Sequence, residues 1–261
     1  MDLALNGRIA WITGAGGALG AAIAETLAAE GARAYLSGRD PRRLEDTRQR
    51  IAARGTDSGS VVVMDISRRV DVDRAAADIL AASGRIDILV NCTALPIFGA
   101  FLDLQDADWE EVIQAKYLGY VRTMRAALPA MVAQNFGRIV NVSGRGGRQP
   151  TPAHLPGSSV NAAVNLLTKG LADVYGKHNI RINAVAPGPI DTPRYATIAN
   201  ENAELARQGQ TGSRPAGAAT PVPRLGTPQD VADAVAFLVS ARSGYTPGSI
   251  LAVDGGGTAA I

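Results

Sequence analysis

Seven short stretches of this chain are apolar at nearly every position, and a helix-period segment separates each from the next. They are Ile9–Thr13, Ala32–Ser37, Ser60–Met64, Ile86–Asn91, Arg138–Val142, Arg181–Ala186 and Ile250–Val253. The helical patterns between them are Ala18–Glu30, Pro41–Arg54, Val70–Ala82, Asp106–Gln134, Ser158–Lys177 and Asp230–Val239. A strand that does not alternate apolar with polar is buried on both faces, and helices between such strands supply the crossovers of a parallel sheet. The expected architecture is α/β, a doubly wound Rossmann-like parallel sheet of about seven strands with helices on both faces. Ligands of such sheets sit at the carboxyl ends of the strands. No linker-like shift in composition divides residues 1–261, so a single domain is expected. Residues 194–226, rich in Gly, Ala, Pro, Gln and Thr with one helical fragment at Ile198–Arg207, are expected to form a substrate lid.

The first strand runs straight into a glycine-dense turn at Thr13-Gly-Ala-Gly-Gly-Ala-Leu-Gly20, and the alanine-rich helix follows at once. Glycine lets backbone approach a pyrophosphate, and the free N–H groups of a helix N-terminus attract it. Gly14, Gly16, Gly17 and Gly20, with Leu19 between, do not fit the strict G-x-G-x-x-G spacing, so the turn alone is a weak dinucleotide signal.

Composition narrows the alternatives. A hydrophobic content of 46%, 19% charged residues and a net charge of +2 are ordinary for a globular protein, and the arginines are scattered apart from Arg39–Arg54. Neither a nucleic-acid footprint nor a membrane span is expected, nor is a signal peptide. The single cysteine excludes an internal disulfide and a cysteine-based zinc site, no metal is expected, and a reducing, cytoplasmic location is.

Five segments together resemble the short-chain dehydrogenase/reductase family. The first turn is similar to its Thr-Gly-x-x-x-Gly-x-Gly motif, with Thr13, Gly14 and Gly20 in place and Ala18 at the middle glycine. Asp87–Ala94 resembles the strand ending Asn-Asn-Ala-Gly, and Gly137–Gly144 the strand that delivers a catalytic serine. Ile180–Thr192 is close to the Pro-Gly-x-x-x-Thr stretch, and Ser249–Gly256 to the C-terminal strand. The likeness spans essentially the whole chain. It implies cofactor-binding roles for Thr13, Gly14, Gly16, Gly17, Leu19, Gly20, Asp65, Ile66, Asn91, Pro187, Gly188, Ile190 and Thr192. Gly38 stands where the acid that selects NAD usually lies, and Arg39 follows it with Arg42 and Arg43 nearby. An arginine there favours the 2′-phosphate, so NADP(H) is the expected cofactor.

The catalytic positions depart from the family, whose chemistry uses Asn, Ser, Tyr and Lys with Tyr-x-x-x-Lys spacing. The same alignment puts Gly157 at the tyrosine, Asn161 at the lysine, Gly144 at the serine with Ser143 one step off, and Lys116 at the asparagine. His154, seven positions ahead of Asn161, matches the Tyr-x6-Lys spacing of divergent enoyl reductases in this family. His154 is therefore expected to act as an acid near its ordinary pKa, with Asn161 on the nicotinamide ribose and Lys116 restoring a cation, polarising a carbonyl or depressing the pKa of His154. Ser143 is a further catalytic candidate, and Arg145 and Arg148 could meet a substrate carboxylate or phosphate. His178 is expected to be exposed and Cys92 to be a small packed residue.

The function expected first is an NADP(H)-dependent oxidoreductase acting on a small to mid-sized carbonyl, alcohol or activated C=C compound. A non-redox lyase or isomerase retaining the cofactor and a catalytically silent NADP(H)-binding sensor or subunit are the alternatives. The resemblance also implies a homo-oligomer, tetramer or dimer, formed through the helices Asp106–Gln134 and Ser158–Lys177.

Overall fold

The computed structural model describes residues 2–56, 59–209 and 220–259. Seven strands form one sheet: β1 (Ile9–Thr13), β2 (Arg33–Gly38), β3 (Ser60–Val63), β4 (Ile88–Asn91), β5 (Gly137–Val142), β6 (Ile180–Pro187) and β7 (Ile250–Val253). Their order is β3-β2-β1-β4-β5-β6-β7, and every adjacent pair is parallel. The order reverses between β1 and β4, which makes that the switch point where a crevice opens at the carboxyl ends.

The continuous apolar pattern of the strands has a direct cause. In β1, Ala10 and Ile12 face one layer of helices while Ile9 and Trp11 face the other, and all four are buried. The first layer is α1 (Ala18–Ala29), α2 (Pro41–Ala52) and α8 (Pro228–Val239), packed through Ile23, Leu27, Leu44, Ile51, Val231 and Val235. The second is α3 (Arg69–Ser83), α5 (Leu118–Ala133) and α6 (Leu155–Tyr175), packed through Val72, Ile79, Tyr120, Met124, Val160 and Val164. Each fully buried aliphatic side chain contributes roughly 1.5–3 kcal/mol, so both layers hold the sheet. Trp11 also donates its indole N–H to Ser37 Oγ at 2.8 Å, tying β1 to β2.

Helix starts follow local chemistry. Asp40 caps α2 by accepting the amides of Arg42 and Arg43, with Pro41 in the first turn. Thr227 and Asp230 form a capping box on α8. Thr192 accepts the Tyr195 amide at the start of α7 (Pro193–Arg207), which begins five residues before the expected fragment. The expected helix Asp106–Gln134 is interrupted. It is α4 (Asp106–Val112), a π-turn at Ile113–Tyr117 and then α5. A π-turn shifts the register of every side chain beyond it and often marks a functional site. This one carries Lys116. Of the expected lid, α7 and residues 220–226 are described, with Gly226 bridged to Ile190; residues 210–219 lie outside the described residues.

Candidate active site

At the switch point the glycine turn is close-packed. Gly14 has a φ of 66°, and a Cβ there would overlap the Cys92 carbonyl of the β4 end. A Cβ on Gly20 would overlap the Gly14 carbonyl, so α1 starts directly against the turn. Gly17 caps α1 without a side-chain bond, and the first turn holds no acid. The residues of that first turn, Ala18, Leu19 and Gly20, line the crevice, and a helix N-terminus there suits a phosphate. Thr13 is buried and its Oγ1 accepts the Cys92 amide at 3.1 Å, which fixes β1 against β4.

Two adjoining cavities run from this turn. One, of about 660 Å³, is lined by Thr13, Gly14, Arg39, Arg43, Asp65 and Ile66 among others. Despite burial, which pushes its carboxyl up, Asp65 is held below the ordinary range by hydrogen bonds from Ser67 and the charges of Arg39 and Arg68. Asp40, two residues beyond Gly38, caps α2 by accepting the Arg42 and Arg43 amides through one carboxylate oxygen.

The other cavity, of about 640 Å³, is lined by Gly14, Gly16, Gly17, Leu19 and Gly20 of the turn, by Pro187, Gly188, Ile190 and Thr192, and by Lys116, Ser143, His154, Asn161 and Arg194. All four residues expected in catalysis thus share one wall. Asn161 is 6% exposed, and its Oδ1 has no hydrogen-bond partner. A buried, unsatisfied carbonyl oxygen beside a cavity is a docking point for a ligand donor.

Lys116 is also 6% exposed and reaches from the π-turn to donate to the Ser143 carbonyl at 2.8 Å. Burial, with the nearby charge of Arg194, lowers its pKa to about 7. His154 bonds through Nδ1 to the Ile97 carbonyl at 2.9 Å and stands 4.6 Å from the Phe98 ring. A carbonyl only accepts, so Nδ1 carries the proton and Nε2 is the bare acceptor of the neutral ring. Burial, reinforced by the charges of Arg194 and Lys116, lowers its pKa to about 4. The expectation that His154 is an acid near its ordinary pKa is thereby corrected: the ring is neutral at pH 7, and Lys116 is the group that titrates there.

One further expectation, that for Asn91, is corrected, and two other side chains turn to backbone. Ser143 donates its hydroxyl to the Val185 carbonyl at 3.1 Å at the strand end while still lining the cavity. Asn91 is fully buried, with its amide donating to Asn141 Oδ1 and its Oδ1 accepting from Thr123; Cys92, Thr93 and Ala94 line the cavity instead. Arg145 lines the cavity, whereas Arg148 points to the Ile250 carbonyl of β7. Burial pushes the Cys92 thiol up to about 12, so it is no nucleophile.

Arg194 escaped the sequence reading. Its Nη2 donates to the Leu95 carbonyl at 2.8 Å, and its guanidinium lies over Phe98 at 5.9 Å. The signal was present in Thr192-Pro193, a cap residue followed by proline, which starts a helix and puts residue 194 in its first turn beside the site.

The comparisons with known proteins agree with this fold. The family model described as enoyl-(acyl carrier protein) reductase matches residues 14–258. The chain belongs to the short-chain dehydrogenase/reductase family. Over 256 residues this family member is 36% identical to an A-factor type gamma-butyrolactone 1′-reductase of Streptomyces virginiae, covering 97% of this chain and 96% of that one. It is 30% identical to a 3-oxoacyl-(acyl-carrier-protein) reductase of Aquifex aeolicus, covering 98% and 99%. An L-sorbose reductase from Gluconobacter frateurii, solved with NADPH and L-sorbose, superposes with a TM-score of 0.89 at 29% identity over 100% of both chains. Among the described residues no helix is long and apolar enough to cross a membrane.

Proposed function

We infer that this chain is an NADP(H)-dependent oxidoreductase that interconverts a carbonyl compound and its alcohol, with Lys116 handling the proton. One observation carries the reading: a single cavity joins the glycine turn of β1 to the Lys116 ammonium. The residues fit the cofactor. The α1 amides with Gly14, Gly16, Gly17, Leu19 and Gly20 suit the pyrophosphate, and Arg39 with Arg43 suits a 2′-phosphate. Asp65 and Ile66 border the adenine end, and the unpartnered Asn161 Oδ1 can accept from a nicotinamide ribose hydroxyl. Pro187, Gly188, Ile190 and Thr192 line the path between. The NADPH complex of the sorbose reductase supports the same assignment.

When bound, the nicotinamide supplies or takes up hydride. The ammonium of Lys116 has three donors and gives one to Ser143, so others remain for a substrate oxygen. A group with a pKa near the working pH serves both as donor in reduction and as acceptor in oxidation. His154 Nε2 accepts a hydrogen bond and orients a hydroxyl. In this reading the family's tyrosine–lysine pair is rebuilt: Gly157 makes room for His154, and a lysine from the π-turn stands in for the one replaced by Asn161.

Incubation with NADPH and a panel of ketones, aldehydes and enones tests the assignment through loss of the reduced nicotinamide's absorbance. Turnover by the wild type that falls about a hundredfold or more in Lys116→Met supports it. Product without nicotinamide change would favour a lyase or isomerase, and NADPH binding with no product on any substrate a sensor. The same reading expects an oligomer contact through α5 and α6; on α6, Leu166 and Val174 are 77% and 56% exposed.

A further inference from the structure

The Lys116 cavity is lined by four cations, Arg43, Lys116, Arg145 and Arg194, and by no aspartate or glutamate. Arg43 belongs to the glycine-turn end, where it packs against Gly16. Lys116 and Arg194 stand together beside His154 and the 95–98 segment. Among the described residues neither has a carboxylate within 4.0 Å; their hydrogen bonds go to the carbonyls of Ser143 and Leu95. Residues 210–219 contain no acid either, only Arg214. Elsewhere the chain flanks a buried acid with its cations, as where Arg8 and Arg85 meet Asp87.

The buried Lys116, whose protonation the charge of Arg194 depresses, and the half-buried Arg194 lack a counter-ion, which weighs against the folded state unless a ligand returns the cost. Arg194 donates one N–H to Leu95 and keeps the rest of its planar fork, which matches a carboxylate with two parallel hydrogen bonds. Its surroundings, Pro96, Tyr195 and Ile198 on the cavity wall with Phe98 beneath the guanidinium, suit an apolar body.

We propose that the substrate is an oxo acid or its hydroxy acid, with the carboxylate held by Arg194 and the reacting oxygen facing Lys116. The proposal rests on the oxidoreductase reading for the reacting oxygen. The carboxylate site itself rests on the charge and burial of the wall.

Calorimetric titration at about pH 6.5, below the pKa of about 7 of Lys116, tests it on the whole chain, with and without saturating NADP. The probes are 2-oxohexanoate, 5-oxohexanoate and benzoylformate, each against its methyl ester. At least one acid is expected to bind tenfold or more tighter than its ester. Arg194→Gln should abolish that preference while leaving ester binding within twofold, and Arg194→Lys should recover part of it. If no acid outbinds its ester, or if a folded Arg194→Gln protein keeps the preference, the proposal is overturned. The wild-type comparison decides even where a variant fails to fold. Failure to bind NADP sinks the oxidoreductase reading alone, because acid and ester are also compared on the unliganded protein.

Discussion

The imidazole of His154 fills the space into which any side chain on Gly157 would project: a Cβ built on Gly157 overlaps His154 Nε2. The two residues are mutually dependent, one turn apart at the start of α6. Gly157→Ala should destabilise the protein by about 1–3 kcal/mol, the usual magnitude for overpacking a filled site. In Gly157→Ala/His154→Ala the clash is gone, so the two changes should be strongly non-additive in a denaturant double-mutant cycle. Additive effects would mean that the ring does not occupy that space.

Lys116 makes stability and turnover depend on pH with a definite sign. Its pKa is 10.5 in the ordinary state and about 7 when buried. Between these values the unfolded chain binds a proton that the folded chain does not, so this group makes stability rise as pH climbs from about 7 toward 10.5. Lys116→Met lacks that slope, and at about pH 6 it should be neutral or up to about 4 kcal/mol more stable, as when buried charges are replaced by apolar groups. Thermal denaturation of both proteins across this range measures it.

The same group sets the pH profile of the chemistry. Reduction should slow as pH rises through about 7, because the donor must be protonated, and oxidation should quicken over the same interval. His154, with its pKa lowered to about 4, adds no further step above about pH 5. A profile for Lys116→Arg that keeps the inflection near neutrality would assign it to another group.

Beneath the site, Asn91, Asn141, Thr123 and Thr168 form one buried hydrogen-bonded chain. Replacing Asn141 by Leu takes the acceptor from the Asn91 amide, while the Thr168 hydroxyl keeps its donation to the Val164 carbonyl. The stranded amide costs about 1–3 kcal/mol, which chemical denaturation should register while the cavity wall above stays intact.

The sheet was legible because its strands are buried on both faces, which leaves an unbroken apolar run in each. Strand ends moved by a residue or two: Ile86 and Asp87 fall outside β4, and β2 starts at Arg33. The break between α4 and α5 was not legible, since a π-turn keeps the apolar spacing on either side nearly unchanged. Residue types located the site, but burial decided protonation. Nothing in Pro152-Ala-His-Leu155 tells that the ring sits under Phe98 with its Nδ1 on a carbonyl. Asn91 was misread for a related reason, because a strand-end asparagine can face the crevice or the core, and here Thr123 and Asn141 draw it into the core. Arg194 was hidden in a segment read as a lid by composition.

The most direct test of the cofactor assignment is a fluorescence titration of the wild type and Arg39→Ala with NADPH and NADH. The account predicts tighter binding of NADPH by the wild type, and a loss of about tenfold or more for NADPH alone in the variant, the loss expected of a charge-assisted contact of about 1.5–3 kcal/mol. Equal affinity for both nucleotides would contradict the role of Arg39, and binding of neither would contradict the oxidoreductase itself.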